Sequence, residues 1–405
     1  MRGETRLPVL MVVASEDDGG MARSVYLLAR DLRAERIVPA VAVHRDSRLA
    51  RRLRELDLPV HIVPELIESG MRGPGPADRG PRSLIHNLRS APAAASTLNT
   101  LAAQHGARVL YSHGTWSNYL AALATRHRGT PPVVWHIRND HSKPATRWAG
   151  RALARWADVA AILAVSNAAA EPYRGLPNRC EVILNGVDYH AIERVSTPVA
   201  LRAQLGLPDA AVLVGFAGRL EPHKGIGVLL EAMREAVSRA PQLHLVVLGE
   251  SARHAAHDQA GELRQKAHAW GIAAHVHLLG YIDGIESHLA ALDLVSVPSI
   301  CKDGCPRTAI ESLALGIPLV GSDIGGIPEV IRDGGTGILV PPGDVARLAE
   351  ALVALAAGPD LRRRMGAAAA ADARIRFDSR RTAAAVANVL HQIGDVSALA
   401  ARVPA

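Results

Sequence analysis

At 405 residues the chain has length for two or three domains of roughly 100 to 200 residues each, and 48% hydrophobic with 21% charged residues is globular rather than disordered composition. Aromatics reach only 3%, which favours an aliphatic core over aromatic sugar-stacking platforms. The three cysteines, Cys180, Cys301 and Cys305, supply neither a disulfide framework nor a zinc site and fit a reducing compartment.

The first apolar run, about six residues long and ending before Ser15, is too short for a signal segment and far below the ~18 residues that span a bilayer. It reads as a buried strand over 9–14. Further apolar runs bounded by turn residues follow at 38–43, 60–63, 109–111, 133–137 and 160–165, and again at 212–217, 244–248, 276–279, 294–297, 318–321 and 337–340. Continuous apolar strands separated by amphipathic helices predict parallel sheets covered on both faces, and twelve of them divide into two doubly wound α/β domains. The boundary is expected within 185–197, and two facing domains imply a ligand cleft beyond the carboxyl ends of the strands. Residues 70–82 carry so much Gly and Pro that they read as a mobile loop. From about 367 the Ala-rich tail reads as helical, with Phe377, Val386, Val389, Leu390 and Ile393 on its buried side.

The net charge of +7 is uneven: residues 1–190 hold 25 Lys and Arg against 17 Asp and Glu, and residues 191–405 hold 21 against 22. Arg45, Arg48, Arg51, Arg52 and Arg54 fall on one helical pattern with Leu49, Leu53 and Leu56, and Arg147, Arg151 and Arg155 recur beside Trp148 and Trp156. Two readings stand: solvated helix faces, or a surface for peripheral contact with an anionic membrane. A nucleic-acid partner is not expected, because no aromatic-interleaved basic groove is present.

Chemistry concentrates in a few places. The 212–217 strand ends in Gly218-Arg219-Leu220-Glu221-Pro222-His223-Lys224-Gly225 before a helix. Two cations five residues apart at a helix N-terminus can surround a diphosphate, Arg219 in a two-point contact and Lys224 as a point charge. Next comes Pro298-Ser-Ile-Cys-Lys-Asp303-Gly-Cys-Pro306-Arg307-Thr308-Ala-Ile-Glu311, in which Asp303 can meet sugar hydroxyls, Glu311 can accept from a ribose, and the amides near Pro306, Arg307 and Thr308 suit phosphate oxygens. Gly321-Ser-Asp-Ile-Gly325-Gly326 then opens another helix.

These blocks, in this order and spacing, resemble the second domain of the retaining nucleotide-sugar glycosyltransferases of family 4, which adopt the two-domain GT-B fold. The rest of the chain agrees: Gly19-Gly20 is similar to the family's N-terminal glycine loop, Ala164-Val165-Ser166 to its strand-to-serine step, Ile183-Leu-Asn185-Gly186-Val187-Asp188 to its interdomain signature, and Gly337 to Asp344 to its late turn. The resemblance implies an acceptor-binding domain over 1–190, a nucleotide-sugar domain over 191–375, and a C-terminal helix over 376–405 that packs back toward the first. It further implies His136, closing the 133–137 strand, as an active-site histidine with Arg219, Lys224 and Asp303. Gly19, Gly20, Tyr281, Ile282, Pro306, Arg307, Thr308 and Glu311 join the donor site, and His113 and Arg138 are candidates for the acceptor. The family normally has Glu where this chain has Asp303, one methylene shorter, so its reach to the sugar takes a water or a closer loop.

The implied reaction transfers a sugar, most often from a UDP-sugar, to a hydroxyl with retention by front-face attack, without a side-chain nucleophile. No cofactor and no metal is expected, since two fixed cations stand where other phosphate sites use magnesium and the chain has no Asp-x-Asp triplet. His275 and His277 lack a neighbouring carboxylate and make a poor metal site. The expected acceptor is a saccharide, a lipid-linked glycan or a small molecule, and the expected location the cytoplasm or the inner membrane face. A nucleotide-sugar 2-epimerase and a non-catalytic nucleotide-sugar-binding subunit are the competing readings.

Overall fold

The structure, a computed structural model, describes residues 6–14, 19–66, 81–125, 129–138, 144–157, 159–195, 198–251 and 258–400. The chain divides into two compact units, Met1–Gly186 with Ser379–Ala405, and Val187–Asp378.

In the first unit the strands are β1 (Leu7–Val13), β2 (Ile37–Val43), β3 (Val60–Ile62), β4 (Val109–His113), β5 (Val133–Ile137), β6 (Ala161–Ala164) and β7 (Arg179–Val182). They form one sheet in the order β3-β2-β1-β4-β5-β6-β7, with every pairing parallel. Because parallel strands require crossovers, helices cover both faces and the central strands are apolar on both sides. β1, β4, β5 and β6 are accordingly almost wholly buried. The seventh strand, Arg-Cys-Glu-Val, is absent from the twelve that the apolar runs predict. It lies at the sheet edge, half-exposed and charged, where no apolar run is needed.

In the second unit β8 (Val212–Ala217), β9 (Leu243–Leu248), β10 (Val276–Gly280), β11 (Leu294–Val297), β12 (Leu319–Ser322) and β13 (Gly337–Val340) form an all-parallel sheet in the order β10-β9-β8-β11-β12-β13. In both sheets the order reverses beside the strand that comes first in sequence, between β1 and β4 and between β8 and β11. This is the topological switch point, where ligands bind in such folds.

The tail differs from expectation in where it breaks. One helix, Pro359–Arg376, belongs to the second unit, and a second, Ser379–Ala400, to the first, separated at Phe377 and Asp378. Val386, Val389 and Leu390 of the later helix are buried with Leu7, Val9 and Met11 of β1, and the Arg108 guanidinium donates to the Gly394 carbonyl at 2.6 Å. Residues 70–80 of the expected loop lie outside the described residues, as do Ser196 and Thr197 of the expected boundary. Pro81 and Arg82 already open the helix Pro81–Gln104, proline being well placed in a first turn that lacks N–H partners.

Both basic clusters are partly spent inside the protein. Arg45 precedes the helix Arg48–Arg54, Arg52 stacks over Tyr26 at 4.3 Å and Arg54 pairs with Asp46. Arg147 pairs with Glu171 and Arg151 donates to the Pro172 and Arg174 carbonyls. Trp148, 74% exposed, and Trp156, 50% exposed, stand outward. Among the described residues no helix is long and apolar enough to cross a membrane.

Candidate active site

In the second unit the site begins where β8 runs out. Gly218 leads into Arg219, the single turn Pro222–Lys224 follows, and Gly225 caps the helix Ile226–Arg239 with φ 76°. Glycine is required there twice over: the left-handed backbone disfavours a side chain, and a Cβ would collide with the Pro298 carbonyl. That close approach, with the Ile300 N–H donating to His223 O at 3.0 Å, presses the Arg219–Lys224 turn against the loop after β11. Glu221 sits between Arg219 and His223, 3.0 Å from Arg219 Nη1 and 3.1 Å from His223 Nε2. Burial lowers the His223 pKa, with Glu221 opposing.

The loop after β11 then places Asp303 against Lys224, whose Nζ bonds the carboxylate Oδ2. The Gly326 N–H donates to Asp303 O at 2.7 Å, so the glycine turn after β12 anchors the same loop. In the helix Arg307–Ala314 the buried Arg307 grips the buried Glu311, Nε and Nη2 lying 3.0 and 2.7 Å from Oε1. Thr308 Oγ1 donates to Ala217 O at 2.8 Å, tying the helix start to the end of β8. Arg219, Lys224, Asp303 and the Pro306–Glu311 helix entry therefore belong to one surface built from the ends of β8 and β11. Its two cations and helix N-terminus suit a diphosphate. Its two carboxylates suit hydroxyls. Tyr281 and Ile282 follow the end of β10 on the same edge of the sheet, with Tyr281 46% exposed.

In the first unit the carboxyl ends of β4 and β5 bring His113 and His136 together, their ring centres 5.5 Å apart and both rings buried. Arg138 lies across them, Nε 3.3 Å from His113 Nδ1 and Nη2 3.3 Å from His136 Nδ1, with Nη1 2.8 Å from Asn185 Oδ1. Tyr111 approaches His136 Nδ1 at 2.5 Å, and the Asn118 amide reaches the His136 carbonyl at 3.5 Å. Burial, reinforced by Arg138, holds both histidines well below their usual pKa and so neutral. Burial likewise keeps Tyr111 a phenol. Each imidazole has one buried nitrogen, Nε2, without a hydrogen-bond partner. Buried polar atoms are normally satisfied, so these two mark a place for a ligand or water. Gly19 and Gly20 open the helix Gly20–Asp31 of this unit.

Sequence reading missed Glu221, His223, Tyr111 and Asn185. Tyr111 was within reach of it: two residues before His113 on one strand, it shares that face. Asn185 was not, since only the fold brings it to Arg138. His275 lies in the turn before β10 and meets His277 through a third ring, His244, stacked 4.8 Å from His275. Among the described residues no group of three or more His, Cys, Asp or Glu is placed to hold a metal.

Fold and site together define the class: two parallel-sheet Rossmann-like domains of the GT-B type, with Arg219 and Lys224 beside a helix N-terminus on the second. Two family models match, Glycosyltransferase Family 4 over residues 18–190 and Glycosyl transferases group 1 over residues 200–372. The chain is 32% identical over 290 residues to a D-inositol 3-phosphate glycosyltransferase of Streptomyces scabiei, covering 65% of this chain and 64% of that one. It is 35% identical over 176 residues to a phosphatidyl-myo-inositol mannosyltransferase of Mycobacterium leprae, covering 43% and 44%. The match thus spans less than two thirds of either relative. Among solved structures, Anabaena HepE in complex with UDP and glucose superposes with a TM-score of 0.78 at 22% identity, covering 95% of this chain and all of that one. A sucrose-phosphate synthase from Thermosynechococcus elongatus gives 0.77 at 20% identity, covering 96% and 100%. The chain belongs to the family 4 glycosyltransferases.

Proposed function

We propose that the protein transfers a sugar from a nucleotide-diphosphate sugar, UDP-linked, to a hydroxyl acceptor with retention of anomeric configuration. The observation that carries this reading is the convergence of Arg219, Lys224, Asp303 and Glu311 on one helix entry. Arg219, Lys224 and the backbone N–H groups of Arg307 and Thr308 take the diphosphate and stabilise the charge that grows on it as the glycosidic bond breaks. Glu311, its orientation held by Arg307, accepts from the ribose. Asp303 turns from Lys224 toward the sugar hydroxyls once phosphate oxygens compete for the ammonium. Tyr281 and Ile282 border the base. With two fixed cations at the leaving group, the reaction proceeds without a metal.

On the first unit, the buried, unpartnered Nε2 atoms of His136 and His113 suit the hydroxyls of a sugar or an acceptor. The solved neighbour with bound UDP and glucose supports the donor class. The two relatives whose names carry inositol phosphate and phosphatidyl-inositol support a phosphorylated polyol, free or lipid-linked, as acceptor. A lipid-linked acceptor would place the protein at the inner membrane face, with Trp148 and Trp156 toward the lipid.

Thermal unfolding with UDP-, GDP- and ADP-sugars tests the donor site, because a ligand at 100 times its Kd stabilises by about 2.7 kcal/mol. The expected result is a shift with UDP-sugars alone, abolished in Lys224→Ala and Glu311→Ala. Equal shifts in wild type and both variants would remove these residues from the donor site. Product NMR reads the anomeric configuration, and full turnover in EDTA is expected.

A further inference from the structure

We infer that Arg138 is not a ligand contact but a positioning residue, which holds His113 and His136 as a pair of neutral Nε2–H donors aimed at a ligand's oxygens. The inference rests on the proposed function and deepens it by assigning roles within the buried cluster of the first unit, and its main test needs neither substrate nor turnover.

A guanidinium has five N–H donors and no acceptor. Arg138 Nε at 3.3 Å from His113 Nδ1, and Nη2 at 3.3 Å from His136 Nδ1, can therefore bond only if both Nδ1 atoms carry a lone pair. A neutral imidazole without a proton on Nδ1 has it on Nε2. Tyr111 then donates its hydroxyl to the same His136 Nδ1 at 2.5 Å. One cation, itself fixed by Asn185 Oδ1 at 2.8 Å, thus sets the tautomer of two rings on neighbouring strands.

The outward consequence lies at Nε2. Both Nε2 atoms are buried and lack a partner among the described residues, and both are N–H donors by the preceding step. Two buried donors left unsatisfied cost free energy that an acceptor recovers. With ring centres 5.5 Å apart, they suit one small group rich in oxygen, such as a phosphoryl or a sugar hydroxyl pair, and reject a cation or ammonium. Such donors stabilise a developing negative charge on oxygen without giving up a proton. Arg138 thereby acts through the histidines, since its Nε, Nη1 and Nη2 all engage the protein.

Nitrogen-15 spectra of histidine-labelled full-length protein near neutral pH test this, with His113→Gln and His136→Gln assigning the two rings. Expected in wild type are two Nε2–H neutral tautomers, with no proton on either Nδ1. A proton on either Nδ1 overturns the inference, and this measurement needs no Arg138 variant. Arg138→Lys and Arg138→Gln, checked for folding by thermal melting, are expected to bring an Nδ1–H signal to at least one ring. Unchanged spectra in both folded variants would show that Arg138 does not set the tautomer.

A second readout is independent of the spectra. Gln at 136 can place an amide N–H where Nε2–H stood, while Asn cannot reach. His136→Gln is therefore expected to bind donor at least about tenfold more tightly than His136→Asn, equivalent to ~1.4 kcal/mol. Equal affinities would contradict a donor role at Nε2.

Discussion

Arg307 and Glu311 show how much a single pair carries. Their side chains are 7% and 4% exposed, so neither charge has water to fall back on. Breaking a buried pair by removing one partner leaves an uncompensated charge and costs about 3–5 kcal/mol. Arg307→Leu should lower urea stability by that amount and release Glu311 from its fixed orientation, whereas Lys224→Ala, at the half-exposed Asp303 pair, should act mainly on donor affinity. An Arg307→Leu unfolding free energy within about 1 kcal/mol of wild type would show that Glu311 is held by something else. The histidines make a second prediction at this scale. Burial holds His113 and His136 well below 6.5, and burial with His275 and His277 lowers His244 to about 4. Unfolded, each titrates near 6.5, so below that pH the unfolded chain binds more protons than the folded one. Their stabilising effect is complete above about 6.5 and is lost as pH falls toward about 4. Melting temperature should therefore be lower at about pH 5.5 than at about pH 7.5, and His244→Gln should narrow that difference by removing one such proton. An unchanged difference would mean that His244 protonates equally well in the folded protein.

At the scale of elements, the loop after β8 depends on a close approach between two chain segments. Gly225→Ala must pay about 1–2 kcal/mol for a side chain at positive φ and also push back the Pro298 carbonyl. Gly206, with φ 65° and open space around it, separates the two costs, because Gly206→Ala pays only the first. Urea midpoints should fall further for Gly225→Ala than for Gly206→Ala, and only the former should weaken nucleotide binding. Equal losses would mean that the Pro298 contact relaxes freely. The Gly218–Gly225 stretch was legible in sequence because its residue types, cations and glycines after an apolar strand, are what a phosphate loop needs. Strand β7 was not, because an edge strand has only one neighbour and tolerates Arg179 and Glu181, which erase the apolar signal.

At the scale of the whole molecule, the helix Ser379–Ala400 completes the core of a unit whose other residues end at Gly186. It contributes Ala383, Val386, Ala387, Val389 and Leu390 to that core. The larger three are worth about 1.5–3 kcal/mol each, comparable in sum with the ~5–15 kcal/mol stability of a typical domain. A chain ending at Asp378 should lose protection of β1 and β2 in hydrogen exchange while keeping that of β8 and β9. Retained protection of β1 would show that the first unit folds without this helix.

The division between sequence and tertiary structure follows from locality. Apolar runs, turn glycines and the residue types of the loops after β8 and β11 determined two parallel α/β sheets and the placing of Arg219, Lys224 and Asp303 in loops after strands and of Glu311 in the helix that follows, since each depends on neighbours a few residues away. Only the folded chain decided that Lys224 meets Asp303 across 79 residues, that Arg307 turns inward to Glu311, and that Arg138 spans two histidines and Asn185, 47 residues on. These partners are joined by strand pairing and burial, and neither local spacing nor composition encodes which buried polar groups will have to satisfy one another.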